Sequence, residues 1–344
     1  MVKKKAEIFV DFGKNSYFCK KISVIPMRTI YYPDCAQLED GYAATVGFFD
    51  GVHRGHCYLV NRLKDEAAKR GLRTMVVTFD CHPRQVVQSS WQPRLLSTLD
   101  EKCGRFSQTG IDTLVVLRFD EAMAKLSARE FMGRILMERL GVKMLLTGYD
   151  NRFGHNREED FADYVHYGKA LGMEVVGCDP FSDDSIRISS SCIRRLLDEG
   201  KVEEANRCLG YPYTISGRVG HGEQIGRTMG FPTANLVPDD EQKLIPREGA
   251  YAVMVSIGQG LPSNGNLLHG MTNIGTRPTF DGSRQTLETN IFDTTGDFYD
   301  QPISIRLMAR LRDERSFASA EELARQLEKD KQDSIKILKR LTEK

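Results

Sequence analysis

The chain has 344 residues, of which 40% are hydrophobic and 28% charged, and its 48 lysines and arginines almost balance its 47 aspartates and glutamates. This is the composition of an ordinary soluble globular protein, and the length predicts about two domains. The sequence has no apolar run near the ~18 residues of a transmembrane helix, and its first residues lack the apolar core that is typical of a signal peptide. Neither half has a basic excess, with 31 basic and 29 acidic residues up to Gly210 and 17 and 18 after it. We therefore expect a cytoplasmic protein that acts on small molecules and binds neither membranes nor nucleic acid.

The first 26 residues match neither of the patterns that follow, and Met27 offers a natural chain start. We therefore predict that residues 1–26 are an upstream extension. The eight cysteines all precede Gly210, and none of them forms a Cys-x-x-Cys pair. This favours reduced thiols over a zinc site or a disulfide framework.

From about Ala43 to Gly177, short β-rich runs alternate with longer amphipathic stretches. The predicted strands are residues 43–47, 73–78, 113–117, 143–147 and 173–176, and the predicted helices include residues 59–67, 128–140 and 159–171. Repeated strand and helix predict a Rossmann-like domain, with a parallel sheet that is covered on both faces by helices.

After Gly210 the pattern changes to short strand-like runs separated by Gly, Pro and Asn. The predicted strands are residues 213–219, 251–257, 267–272, 286–292 and 303–311, which indicate an antiparallel β-barrel or sandwich. Residues 320–341 place leucines and an isoleucine at helical spacing among many charges, which predicts a terminal amphipathic helix docked on these strands. We place the two domains at residues 27–209 and 210–344.

The strongest local motif is Thr-Val-Gly-Phe-Phe-Asp-Gly-Val-His-Arg-Gly-His at residues 45–56, where a strand ends and a helix begins. In a doubly wound sheet, ligands bind at this turn. Gly51 and Gly55 allow close backbone approach, and the helix N-terminus offers N–H groups to a phosphate. His53 and His56 can donate hydrogen bonds to phosphate oxygens as charge builds up on them, which favours attack on a nucleotide α-phosphate. Two histidines three residues apart are also typical of metal ligands or of polar residues at a strand end.

This motif resembles the signature of the nucleotidyltransferases that share a fold with class I aminoacyl-tRNA synthetases, and its Phe-Asp-Gly-Val-His form resembles that of the bacterial FAD synthetases. Residues 78–83, 148–154 and 188–194 are similar to further segments of that family, although Cys81 replaces a usual proline and Asn151 a usual aromatic residue. The serines at the start of the third segment can cap the helix that follows and bind phosphate oxygens.

The resemblance implies an adenylyltransferase site in the first domain. Its implied ATP-binding residues are Gly47, Phe48, Asp50, Gly51, His53, Gly55, His56, Ser189, Ser190, Ser191 and Arg194, among which His53, His56 and Arg194 have catalytic roles. Its implied flavin-binding residues are His82, Pro83, Asp150, Arg152 and Phe153.

A second motif, residues 217–235, contains five glycines within fourteen residues. Such a stretch is typical either of hairpin turns or of a loop whose amides bind a phosphate. It is not a Walker loop, because the Gly-x-x-x-x-Gly-Lys-Ser/Thr spacing is absent. Its Phe-Pro-Thr-Ala-Asn ending resembles the riboflavin kinase signature. The resemblance implies Mg²⁺ ligands at Thr233 and Asn235 and ATP-binding residues at Gly217, Gly222, Gly226, Arg227, Gly230, Pro232, Thr233 and Asn235.

Glu288 matches the catalytic glutamate of the riboflavin kinases, where a base is needed near the riboflavin 5′-hydroxyl. A lone glutamate on a strand is otherwise usually just solvated. Asn290, two residues later, replaces a frequent histidine. Residues 271–280 and 311–317 are similar to later segments of the family, and the resemblance implies flavin contacts at Asn273, Arg277, Arg312, Glu314 and Phe317.

These motifs follow one another in the correct order from about Tyr42 to Ile337, and the chain is identified as a member of the bifunctional riboflavin kinase and FMN adenylyltransferase family. The resemblance implies a C-terminal β-barrel kinase domain, use of Mg²⁺ with ATP, and riboflavin, FMN, FAD, ATP, ADP and pyrophosphate as small-molecule partners of a monomer or weak homo-oligomer. The alternative is a flavin-binding regulator with one inactive module. The presence of the predicted base Glu288 argues against it, because ligand sensing does not need a base. A tRNA-charging enzyme is disfavoured because the second, lysine-rich signature of synthetases is missing.

Overall fold

The computed structural model describes residues 26–34, 37–38, 41–88, 90–92, 94–148, 151–155, 158–183, 186–221, 230–258, 267–279, 282–294 and 296–343. These residues form two compact units that divide between Cys192 and Ile193. Apart from Pro26, the predicted extension lies outside the described residues, as do the predicted site residues Asp150, Gly222, Gly226 and Arg227.

Six parallel strands form the sheet of the first unit, in the order β1-β4-β3-β2-β5-β6. They are β1 (Arg28–Tyr32), β2 (Tyr42–Val46), β3 (Arg73–Phe79), β4 (Thr113–Leu117), β5 (Val142–Gly148) and β6 (Glu174–Cys178). Every residue of the central strands β2 and β4 is buried, as expected for a sheet that is covered on both faces. The predicted Rossmann-like parallel sheet is confirmed.

Helices cover both faces of this sheet. The neighbouring residues Val76 and Val77 of β3 belong to two different apolar clusters, because successive side chains of a strand point to opposite faces. One cluster includes the helices α1 (Arg54–Arg70) and α3 (Leu99–Phe106), and the other includes α5 (Ala128–Glu130) and α6 (Phe161–Leu171). The short helices α2 (Pro83–Val87) and α4 (Glu121–Ala124) and the hairpin of β7 (Ser182–Asp183) and β8 (Ile186–Arg187) complete the described elements of this unit.

The helix predicted at residues 128–140 is not α-helical throughout. After α5, residues Phe131–Arg139 form a π-helical segment. The Leu140 N–H donates to the Ile135 carbonyl at 3.1 Å, five residues back, which is the π-helical hydrogen bond.

The second unit is a closed six-stranded barrel in the order β10-β13-β12-β11-β14-β9, with all neighbours antiparallel. The strands are β9 (Tyr213–Gly220), β10 (Thr233–Pro238), β11 (Gly249–Ile257), β12 (Leu268–Thr279), β13 (Gly282–Ile291) and β14 (Pro302–Arg312). The antiparallel structure predicted as a barrel or a sandwich is therefore a barrel.

The terminal helix α9 (Ala320–Thr342) packs on the outside of the barrel. Its Leu338 is fully buried in a cluster with Ala252, Met254 and Met308. The docked helix predicted from residues 320–341 is confirmed. Because Ala252 and Met254 face this helix, the alternate residue Val253 points into the barrel interior.

Two further helices precede the barrel strands: α7 (Ser190–Asp198), which spans the division between the units, and α8 (Val202–Leu209). In α8, the Asn206 side chain donates to the Leu307 carbonyl of β14 at 2.8 Å and accepts from the Tyr213 N–H of β9 at 2.7 Å. The compact units therefore divide before α8, whereas the sequence motifs place the domain boundary after it. Among the described residues, no helix combines the length and apolar character that crossing a membrane requires.

Gly217 on β9 provides a test of barrel packing. A Cβ atom at this position would lie 2.0 Å from the Val237 carbonyl oxygen of β10. We expect Gly217→Ala to lower the free energy of unfolding of the barrel by about 3 kcal/mol, measured by thermal or urea unfolding. Gly275→Ala in β12 is the matched control, because its Cβ would meet only side-chain atoms at 3.5 Å or more. Equal stability of the two variants would contradict this account.

Candidate active site

The histidine loop (residues 47–56) connects β2 to α1 and has an unusual backbone. Phe49 and Val52 have φ angles of 54° and 37°, and Gly51 has a φ of 79°. A bulky residue adopts such left-handed angles only where its surroundings enforce them. At the end of the loop, His53 caps α1, because its Nδ1 accepts from the His56 N–H at 3.3 Å.

Asp50 is the main anchor of the histidine loop. Its buried carboxylate, in a residue that is only 4% exposed, accepts hydrogen bonds from the backbone N–H groups of Leu96 at 2.9 Å and Ser97 at 3.1 Å. The Ser97 hydroxyl in turn accepts from the Gly51 N–H at 3.0 Å. The sequence predicts that Asp50 binds ATP. In the structure, its hydrogen bonds fix the histidine loop to the segment just before α3.

His53 and His56 lie together at the start of α1, as predicted. Their rings stack with centroids 3.6 Å apart, and the edge of His56 meets the Phe49 ring at 5.1 Å. Gly55 makes room for this stack, because a Cβ there would lie 3.2 Å from the His53 ring. Burial, and then the neighbouring His53 and Lys102, lower the pKa of His56 well below its usual value. At neutral pH His56 is thus an uncharged hydrogen-bond donor.

The three predicted phosphate-binding serines have different positions. Ser189 caps α7, since its hydroxyl accepts from the Cys192 N–H at 3.2 Å. The Ser190 hydroxyl donates to the Asp50 carbonyl at 3.0 Å and so joins the start of α7 to the histidine loop. Ser191 is exposed, and Arg194 follows one turn into the helix. Their phosphate contacts stay predictions.

An aromatic cluster lies beside the histidine loop. The Phe48 ring meets His82 at 4.7 Å, and His82 meets Trp91 at 4.5 Å. The His82 ring also caps α2, whose first residue is Pro83. Arg84 lies over Trp91 at 5.1 Å. The predicted flavin-binding residue His82 therefore contacts the predicted ATP-binding residue Phe48, and Pro83 follows His82 at the start of α2.

Of the other residues predicted to bind flavin in this unit, Arg152 is exposed and Phe153 packs against the core. The Phe153 ring stacks on Tyr164 with centroids 4.2 Å apart, so one of its faces is covered. Asn151, one of the departures from the family pattern, donates its side-chain amide to the Val46 carbonyl at the end of β2 at 2.6 Å. Cys81, another departure, is half-buried, and burial raises its thiol pKa to about 11.

In the barrel, register brings three predicted residues into one row. Asn235 of β10 is paired with Glu288 of β13, and Glu288 is paired with Asn273 of β12. Directly paired residues share a face of the sheet. Asn273 is paired with Ala250 of β11. Ala250 lies on the same face of β11 as Ala252 and Met254, which pack against α9. The row therefore lies on the outer face of the barrel. We refer to Asn235, Glu288 and Asn273 together as the outer row.

A second row lies beside the outer row. Thr233 is paired with Asn290, whose side-chain amide donates to the Pro232 carbonyl at 2.7 Å. Asn290, the third departure from the family pattern, thereby holds the Phe-Pro-Thr-Ala-Asn segment against β13. Gly230 enters this segment with a φ of 80°, a conformation that favours glycine.

Asn273 links the outer row to the segment after β14. Its amide forms a hydrogen bond with the Glu314 carboxyl, and its Oδ1 is a buried acceptor with no hydrogen-bond partner among the described residues. Glu314 as a residue is exposed, but partial burial of its carboxyl raises the pKa of Glu314, against the lowering effect of Asn273 and Arg312. The carboxyl groups of Glu314 and Glu288 are close enough to interact electrostatically.

Two predicted flavin contacts of the barrel, Arg312 and Glu314, line a cavity of about 340 Å³ between the end of β14 and α9. There Arg312 forms an ion pair with the buried Asp330, with N–O distances of 2.9 and 2.8 Å. The guanidinium carbons of Arg312 and Arg315 lie 5.7 and 4.7 Å from the centroid of the Phe317 ring. Arg277 belongs to β12, but its side chain lies outside the described ones.

Sequence reasoning missed two residues that lie beside the histidine loop. Trp91 joins the aromatic cluster from the segment between α2 and α3, and Lys102 on α3 reaches the histidine loop. Trp91 is the only tryptophan of the chain, and a single large aromatic residue in a polar segment was the one available signal. Lys102 gave none, because a lysine in a short helix is ordinarily exposed.

Comparison with known proteins gives consistent matches along the chain. The family model described as FAD synthetase matches residues 35–192, and the model described as riboflavin kinase matches residues 209–338. The bifunctional riboflavin kinase/FMN adenylyltransferase of Escherichia coli K12 is 40% identical over 292 residues, which cover 85% of this chain and 91% of the relative. The Listeria monocytogenes protein of the same name is 37% identical, over 90% of this chain and 97% of its own. A crystal structure of a macrolide-efflux protein from Streptococcus pneumoniae, 31% identical, superposes with a TM-score of 0.79 over 89% of this chain and 98% of its own.

Proposed function

Because this chain belongs to the family of bifunctional riboflavin kinases and FMN adenylyltransferases, we propose that its outer row phosphorylates riboflavin and that its histidine loop adenylylates the resulting FMN. The chain is an enzyme with both activities. The alternative of a flavin-binding regulator is not favoured, since models of both enzymes match. The observation that carries the kinase assignment is the pairing of Asn235, Glu288 and Asn273 on three adjacent strands.

In the kinase reaction, the riboflavin 5′-oxygen attacks the γ-phosphorus of ATP, and the bond to the β-phosphate oxygen breaks to give FMN and ADP. Glu288 accepts the proton that the 5′-hydroxyl loses. The glycine-rich segment from Gly217 to Gly230 holds the phosphates. Asn273 and Glu314 orient the flavin end of the substrate, with Arg277, Arg312 and Phe317.

The outer face of β10 suits a magnesium ion. Thr233 and Asn235 point to this face from alternate positions and offer a hydroxyl and an amide oxygen, the hard donors that Mg²⁺ prefers. Mg²⁺ usually takes only a few protein ligands, together with substrate phosphates. When bound, the ion would neutralise charge on the β- and γ-phosphates. We propose that Thr233 and Asn235 hold it.

In the adenylyltransferase reaction, an FMN phosphate oxygen attacks the α-phosphorus of a second ATP, and the bond from this phosphorus to the bridging β-phosphate oxygen breaks to release pyrophosphate. No protein nucleophile is needed, because the phosphate itself attacks. The histidine loop holds the ATP, His53 and His56 donate hydrogen bonds to the α-phosphate as charge develops, and Ser190, Ser191 and Arg194 contribute from α7. The aromatic cluster of His82, with Arg152, receives the flavin.

The wider setting of the enzyme is also a proposal. The near-neutral charge of both halves favours small molecules as its only partners, without nucleic acid or membranes. We place the protein in the cytoplasm, as a monomer or weak homo-oligomer.

The magnesium assignment predicts a selective effect. Asn235→Ala removes one oxygen donor, so we expect the Mg²⁺ concentration for half-maximal FMN formation from riboflavin to rise about tenfold. The Mg²⁺ requirement of FAD formation from supplied FMN, measured on the same preparation, is the internal control and should not change. An unchanged requirement in the kinase reaction would rule out Asn235 as a ligand.

A further inference from the structure

Lys102 on α3 is a buried lysine that neither reaction described above uses. The residue is 2% exposed. Its Nζ donates hydrogen bonds to the Phe48 carbonyl at 3.2 Å and to the Phe79 carbonyl at 3.0 Å, and lies 4.2 Å from the centroid of the Phe48 ring. Lys102 therefore joins the histidine loop to the last residue of β3.

The carbonyl groups that Lys102 binds lie where the chain leaves the sheet. Phe48 immediately precedes Phe49, whose φ of 54° is strained for a bulky residue. The Thr78 hydroxyl also donates to the Phe48 carbonyl, at 3.1 Å. Two donors on one carbonyl fix the peptide plane just before the strained residue. The surroundings thereby enforce the left-handed backbone on which the positions of His53 and His56 depend.

A buried ammonium group is costly for the fold. Burial lowers the pKa of Lys102 to about 8, even though Asp50, Cys103, Asp80 and Cys81 raise it. Since this folded-state pKa lies below that of an unfolded lysine, the group disfavours folding at neutral pH, and the penalty decreases as the pH rises above about 8. The ammonium also lowers the pKa of His56. Lys102 thus destabilises the fold and acts electrostatically on His56. A role in the function of the site explains its presence better than a role in stability.

We propose that Lys102 is a positioning residue of the adenylyltransferase site, which holds the Phe48 and Phe79 carbonyls so that the histidine loop is preset to receive ATP. This inference rests on the proposed function of that loop. Because the side chain is buried, Lys102 acts through the loop and does not touch the substrate.

The test compares two isosteric substitutions in the full-length enzyme. Lys102→Met keeps the length of the side chain and removes its donors and charge. Lys64→Met is the matched control, because the Lys64 Nζ also donates to a carbonyl, that of Thr109 at 2.9 Å. We expect Lys102→Met to lower kcat for FAD formation from FMN at least tenfold without lowering the Tm at pH 7, while Lys64→Met and the kinase activity of both variants remain near wild type.

The pH profile separates positioning from simple support of the fold. We expect the wild-type kcat/KM for ATP in the adenylyltransferase reaction to fall in part as the pH rises through about 8, because the neutral amine keeps two N–H donors but loses the charge that strengthens both hydrogen bonds. Lys102→Gln retains an uncharged N–H₂ donor, so it should recover part of the activity that Lys102→Met loses, and neither variant should show the alkaline fall.

A flat wild-type profile from pH 6.5 to 9.5, or the same alkaline fall in the Lys102 variants, would overturn the inference, as would wild-type kcat in Lys102→Met. If His56→Ala loses FAD formation about 100-fold but Lys102→Met forms FAD normally, only the role of Lys102 fails. If His56→Ala makes FAD normally, the assignment of the loop itself fails.

Discussion

Glu288→Ala is expected to lower FMN formation from riboflavin about 1,000-fold, while FAD formation from supplied FMN continues at the wild-type rate. Glu288 lies in the outer row between Asn235 and Asn273, and in the proposed reaction its carboxylate accepts the 5′-hydroxyl proton. The measurement is the initial rate of each reaction, followed by separation of the flavins by liquid chromatography.

Two further variants sharpen this test. Glu288→Gln keeps the size of the side chain and removes the base, so kcat should fall while the KM for riboflavin stays close to wild type. Glu241→Ala, which changes an exposed glutamate in a turn of the same unit, should leave both reactions intact. Equal loss of both activities in Glu288→Ala would show that the two reactions do not have separate active sites.

His56→Ala should give the opposite outcome, in which riboflavin is converted to FMN and FAD formation falls about 100-fold. The uncharged His56 imidazole is held in place by the stack with His53 and the edge contact with Phe49. Such a fixed donor stabilises the developing charge on the α-phosphate without reorganising. The assay is the same flavin chromatography, and FMN should accumulate as the end product.

His166→Ala is the matched control for His56→Ala. His166 is an exposed histidine on α6 of the same unit, and its removal should change neither rate. Unimpaired FAD output from His56→Ala would refute the assignment of the histidine loop as the adenylyltransferase site.

Much of the fold was predictable, because each buried strand of the parallel sheet is a nearly uninterrupted run of apolar residues in the sequence. The runs at residues 73–78 and 113–117 coincide almost to the residue with β3 and β4, whose valines and leucines are buried on both faces. β1 was missed although its threonine, isoleucine and tyrosines favour a strand, because it is a short edge strand in which Ile30 alone is buried, with no alternation of buried and exposed residues. β10 was missed because Asn235 and Pro238 are untypical of strands and the segment was assigned to a phosphate-binding motif.

The candidate sites were predictable only as sets of residues. The sequence predicts helix capping and phosphate binding for three adjacent serines without distinguishing among them. In the structure, Ser189 caps α7, whereas the Ser190 hydroxyl donates a hydrogen bond to the histidine loop. The contacts of Lys102 lie 54 and 23 positions away in the sequence, at Phe48 and Phe79. Burial of a lysine depends on such distant tertiary contacts, and no local periodicity reveals it.

Two of the three departures from the family pattern, Asn151 and Asn290, can be explained only in the folded chain. Asn151 and Asn290 donate their amides to backbone carbonyls, those of Val46 and Pro232, at the edges of the two sites. Both are therefore anchors of segments that carry site residues. A side chain that replaces an aromatic residue or a histidine can take such a role only where a carbonyl lies within reach, which the sequence does not reveal.

The most direct test of the central claim, that this one chain converts riboflavin to FAD through FMN, is a time course. Purified protein is incubated with riboflavin, ATP and Mg²⁺, and the flavins are resolved by liquid chromatography. We predict that FMN appears first and that FAD follows as FMN declines. Tight flavin binding without conversion would contradict the claim and would support the flavin-binding regulator instead.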